Sequence, residues 1–135
     1  MNKKQVKKEL YNLLGSYCDN VHSDYIDPSK FLDSQSDYPL IAIEQGVSEP
    51  QDGFSRTFKL YFKLFLVIKN EFEILSEVRD DFEELIIKAL NKNKSITLIQ
   101  MDSSNLVSNS NSSAGIFGAV AISEIDISMS YEITR

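Results

Sequence analysis

The chain has 135 residues, with 14 basic and 20 acidic side chains and a formal net charge of −6. That length gives one domain, 1–135, able to bury a core of its own, and excludes a two-domain enzyme. The acidic surplus excludes a duplex-binding module, and the single cysteine, Cys18, excludes a disulfide framework and an all-cysteine zinc site.

Val6, Leu10, Leu13, Leu14 and Tyr17 recur on one face of a 3.6-residue period, which predicts an N-terminal helix. Gly15 marks its end. Lys3, Lys4, Lys7 and Lys8 oppose the helix dipole there, so a frayed first turn is expected. Glu9 and Asn12 interrupt what would be the apolar stretch of a signal peptide. No apolar run approaches the ~20 residues of a membrane span, so a soluble protein made in the cytoplasm is expected.

A polar stretch over 19–37, with Asp27-Pro28-Ser29 as turn chemistry, reads as a long flexible loop. Tyr38 to Gln45 reads as a strand led by Pro39, and residues 46–54 as a loop with Pro50 and Asp52-Gly53 as its turn signals. The clearest strand follows. Phe58, Leu60, Phe62, Leu64, Leu66 and Ile68 alternate with Lys59, Tyr61, Lys63, Phe65, Val67 and Lys69, and the even-numbered face is the one to bury. The two strands form a predicted antiparallel hairpin.

Residues 71–90 predict a second helix with Phe72, Leu75, Val78, Phe82, Leu85, Ile86 and Ala89 as its apolar stripe. Glu73, Glu77, Asp80, Asp81, Glu83 and Glu84 fall on the remaining, solvated circumference. A strand at Ser95 to Met101 precedes a Ser/Asn-rich flexible loop over 102–114. Gly115 to Ile133 is strand-like throughout. Its apolar phase changes from Ile116, Val120 and Ile122 to Ile125, Ile127, Met129, Tyr131 and Ile133, and a bulge near Ser123-Glu124 would reconcile the two. The fold class is α+β: a four-stranded antiparallel sheet with two helices on one face, in the order α-β-β-α-β-β.

Strand lengths bear on assembly. Thr57 to Lys69 spans about 43 Å, and Ile116 to Ile133, if unbroken, about 59 Å. A globule of this chain length is roughly 37 Å across. Such strands either bend or project and find cover elsewhere. Tyr61, Phe65 and Val67, interleaved with Lys59 and Lys63, lie opposite the core face and form a candidate protomer interface. A twisted, lysine-shielded solvent face is the competing account.

Catalytic constellations are thin. Cys18 and His22 stand four apart, a spacing that would let thiolate and imidazolium face one another on a helical turn. A structural cysteine beside a surface histidine is the plainer reading. Asp19, Asp24, Asp27 and Asp33 lack the alternating spacing of a calcium loop. Gly115-x-x-Gly118 enters a strand instead of a helix, so it makes no phosphate cradle. No nucleophile, base and orienter assemble, so neither an enzyme nor a cofactor is expected.

The element order resembles that of the tail terminator proteins of long-tailed bacteriophages, also called minor tail or tail-completion proteins. Tyr38-Pro39-Leu40-Ile41-Ala42-Ile43, Phe58 to Ile68, Phe72 to Leu90 and Ile125 to Ile133 carry the likeness, as a pattern of elements over nearly the whole chain. The resemblance implies a structural virion protein, made in the host cytoplasm and placed at the head-proximal end of the tail. There a homohexameric ring would cap the tail tube, stop its growth and meet the head-completion protein. DNA would pass through the lumen without sequence-specific binding, and acidic charge around it would repel the phosphates. Candidate contact residues for tube or neck subunits are Glu49, Gln51, Asp52 and Phe54 in one loop and Leu106, Val107 and Asn109 in another. The lysine-rich start departs from an acidic lumen: local contact with DNA or an acidic neighbour stays open beside the plainer account of a solubilising segment. A small acidic adaptor or immunity-type binding protein is the alternative function.

Overall fold

A computed structural model describes residues 2–22, 39–51, 56–69, 75–94, 96–102, 115–117 and 120–132. Helix α1 (Lys3–Gly15) opens the chain, with Val6, Leu10 and Leu14 buried. Its first turn has no acidic residue, yet it is held by a capping box where fraying was expected. The Asn2 side chain accepts from the Gln5 N–H at 2.9 Å, and the Gln5 carbonyl oxygen accepts from the Asn2 N–H at 2.8 Å. Two orphan donors are thereby satisfied without help from a carboxylate. Helicity continues through Gly15, and Ser16 is the cap.

Within the stretch read as a loop lies a short strand, β1 (Asn20–His22), paired parallel to β2 (Leu40–Pro50). The intervening chain is long enough for the crossover a parallel pair requires. Tyr11 ties β1 to the first helix by donating its hydroxyl to the Val21 carbonyl at 2.8 Å. β2 also runs further than the hairpin reading allowed. Residues 46–50, expected in a loop, remain strand, and Ser48, Glu49 and Pro50 pair with β3 (Thr57–Lys69).

Helix α2 (Leu75–Lys92) precedes β4 (Ile96–Asp102), and the chain closes with β5 (Gly115–Phe117) and β6 (Val120–Glu132). The sheet order is β1-β2-β3-β6-β4, with β5 on β6. The mixed α+β class is as the sequence predicts, with two helices and a largely antiparallel sheet among the described residues. Among the described residues the sheet has six strands instead of four, and one of its pairings is parallel. The predicted single closing strand is two: β5 folds back on β6, pairing Gly115 with Ile122 and Phe117 with Val120. β4 takes the rest of that edge, from Glu124 to Met129.

No bulge interrupts β6 at Ser123-Glu124. Its register with β3 is continuous from Thr57 opposite Glu132 to Lys69 opposite Val120. The change of apolar phase has another cause, because the two faces of the sheet each bury something. Ala121, Ile125, Ile127, Met129 and Tyr131 of β6 join Leu60, Phe62, Leu64 and Leu66 beneath the helices, with Phe82, Ile86 and Leu90 from α2. Ile122 points the other way, into a separate buried cluster with Leu40, Ala42, Phe65 and Val67.

The stripe of α2 also differs from expectation. Phe82, Ile86 and Ala89 are buried as predicted, while Leu85 is exposed and Arg79 and Glu83 are buried. Phe72 lies outside the described residues.

Candidate assembly surface

The outer face of the sheet, away from the helices, divides in two. Its apolar half holds Phe65, 2% exposed, and Val67, fully buried, both within the single chain. These two residues were expected to offer a protomer interface. Covered as they are, they present no surface to a partner. The remaining three, Lys59, Tyr61 and Lys63, occupy the polar half with exposed or half-buried side chains. Pleating puts all five on one face, and the difference in cover along that face is invisible to a period-two pattern.

The polar half is held by charge pairing between adjacent strands. Lys63 Nζ lies 3.5 Å from Glu124 Oε1. Partial burial works against the Lys63 charge, but Glu124, Asp126 and Glu44 outweigh it and push its pKa up. Tyr61 donates its hydroxyl to Glu49 Oε2 at 3.2 Å, and that bond, with the nearby charge, raises the phenol pKa. Glu49, predicted as a loop contact, is therefore a strand residue engaged with its neighbour. Gln51, also predicted as a contact, is exposed and donates through Nε2 to Ser130 Oγ at 3.2 Å. Asp52, Phe54, Leu106, Val107 and Asn109 lie outside the described residues.

At this end of the sheet β2, β3 and β6 form a three-stranded ribbon. Phe58 and Tyr131 stack with ring centroids 5.6 Å apart, and the Tyr131 hydroxyl is hydrogen-bonded to Ser48 Oγ. Beside them β2 carries a bulge: Gln45 pairs with Phe62 and Ser48 with Leu60, so Gly46 and Val47 together oppose Tyr61. A Cβ on Gly46 would stand 3.1 Å from the Tyr61 carbonyl oxygen, so the close approach favours glycine. The bulge turns Val47 outward, leaving it 67% exposed. β4 has a second bulge, between Leu98 and Gln100, where Ile99 is extra to the ladder and 50% exposed. Sequence reasoning missed both. Gly46 inside a β-branched run was the available signal for the first, and the broken alternation of Leu98-Ile99 for the second.

The Cys18–His22 pair does not form the helical-turn geometry its spacing allows. Cys18 follows the end of α1, buried, with its thiol toward the Pro39 carbonyl at 3.3 Å and the Asn20 carbonyl at 3.5 Å. Burial pushes that thiol's pKa up, away from the reactive thiolate. His22 is exposed on β1. Asp19 is described, whereas Asp24, Asp27 and Asp33 are outside the described residues. Among the described residues no three His, Cys, Asp or Glu side chains gather to hold a metal ion. None of the described helices is long and apolar enough to cross a membrane.

Buried charge occurs instead beneath α2. Ser123 donates its hydroxyl to Glu83 Oε1, and Arg79 Nε lies 3.8 Å from the same oxygen. Burial pushes the Glu83 carboxyl above the usual range, against the opposing pull of Ser123 and Arg79. This cluster fastens α2 to β6. A shallow groove of about 480 Å³ runs beside α1, lined by Gln5, Lys8, Leu13 and Asn93 among others. Asn93 donates to Glu9 Oε1 there at 2.8 Å.

No family model matches the sequence, and no curated protein matches it.

Proposed function

We propose that this chain is a structural subunit of a phage tail, a terminator whose copies close into a ring, cap the tail tube and present a surface to the head-completion protein. One observation carries the reading. β3 and β6 are each 13 residues long and paired along their whole length. At about 43 Å they exceed the roughly 37 Å width of a globule of this size. Its far end, with Glu49, Gln51, Arg56 and Lys59, stands exposed. The surplus of sheet suits a subunit whose outer layer is completed by its neighbours. The acidic surplus suits a ring through which DNA slides. This role calls for no cofactor and no catalysis.

The burial of Phe65 and Val67 in the lone chain favours a second reading, a small acidic adaptor or immunity-type protein that folds and works alone. Deleting the gene in a tailed particle separates the two. Loss of a terminator gives overlong tubes or headless tails, while loss of an adaptor leaves tail length unchanged.

A further inference from the structure

We infer that copies of this chain join edge to edge, with Val47 on β2 of one protomer packed against Ile99 on β4 of the next. This rests on the ring reading and supplies its contact. Among the described residues, β1 covers only Leu40–Ala42 of the outer edge of β2, and no strand pairs with the outer edge of β4. Among the described residues the sheet thus ends in two unlike edges without a full-length strand partner, on opposite sides. Head-to-tail contacts between unlike patches generate rings where the rotation between copies closes, and open filaments where it does not.

Each edge carries a bulge, and each bulge exposes an aliphatic side chain. Val47 and Ile99 are the two most exposed large apolar side chains among the described residues, at 67% and 50%. A bulge removes the regular backbone template on which open-ended strand addition depends. Here it substitutes an outward apolar knob, so contact runs through side chains of fixed position.

Strand direction fits as well. Successive antiparallel pairings from β2 through β3 and β6 to β4 leave β2 and β4 pointing opposite ways. Rotation about an axis along the strands preserves those directions, so β4 of one copy meets β2 of the next antiparallel. With Val47 opposite Ile99, the exposed Glu49 end of β2 comes toward the exposed Lys94 end of β4.

Val47→Cys with Ile99→Cys, in a Cys18→Ser background, tests the contact by oxidation and non-reducing electrophoresis. Three strand spacings, about 14 Å, separate the two edges of one chain, too far for an internal disulfide. The expected result is a ladder of covalent oligomers up to six, absent from either single-cysteine variant. Should the Cys18→Ser background not fold, Val47→Asp in the otherwise unaltered chain serves, and it should lose ring mass while keeping its thermal unfolding curve. Ring mass by light scattering without a ladder, or unchanged by Val47→Asp, overturns the Val47–Ile99 contact and leaves the ring standing. Protomer mass alone, with tube protein added, overturns both.

Discussion

Replacing Phe65 by alanine asks whether the second apolar cluster belongs to the protomer or to an interface. Phe65 is 2% exposed in the single chain, packed with Leu40, Ala42, Val67 and Ile122. Truncating a fully buried phenylalanine costs about 3–5 kcal/mol, part transfer free energy and part residual cavity. A domain of this length has roughly 7–20 kcal/mol of stability in all, so the variant should fold but lose a large share of it. With a urea slope of about 2 kcal/mol/M, the midpoint should fall by about 2 M. The measurement is urea unfolding followed by circular dichroism, at submicromolar protein and again at a hundredfold higher concentration. The loss should be the same at both, because the cover comes from the chain itself. A loss under about 1 kcal/mol in the dilute sample, or one that grows with concentration, would show that a second copy supplies the cover.

Glu83 gives a pH dependence of defined sign. Its folded pKa is raised, so between its ordinary value of 4.5 and that raised value the folded state binds the extra proton. Wild-type stability should therefore fall as pH climbs through that window, and Glu83→Gln should remove the slope; parallel pH profiles of the urea midpoint would contradict this. Cys18, buried with a raised pKa, should resist a thiol-labelling disulfide reagent at neutral pH and react promptly only in denaturant. Rapid labelling of the native protein would place the thiol at the surface. Asn2→Ala should cost about 1 kcal/mol by removing the N-cap acceptor, and an unchanged melting curve would mean that the first turn contributes nothing to stability.

The parts of the fold legible in the sequence are those governed by short-range periodicity. The 3.6-residue spacing of Val6, Leu10 and Leu14 located α1, and strict alternation from Phe58 to Ile68 located β3 and its buried face. Features set by long-range packing were not legible. β1 is three residues long and its partner lies across a crossover, so no local pattern announces it. Ile122 and Ile125 looked out of phase because a strand with cover on both faces has no single apolar period. Glu83 read as surface charge, since its burial against β6 depends on Ser123 far along the chain. At the candidate surface, Lys59, Tyr61 and Lys63 were placed on the correct face, and Phe65 and Val67 shared it. Which part of that face is covered is a tertiary fact.

Mass in solution tests assembly most directly. Light scattering across a concentration series, with and without tube protein, should find a particle of six protomers whose share grows with concentration or on adding the tube. A single protomer at every concentration, unmoved by the tube, would contradict a ring subunit and leave a self-sufficient acidic domain in its place.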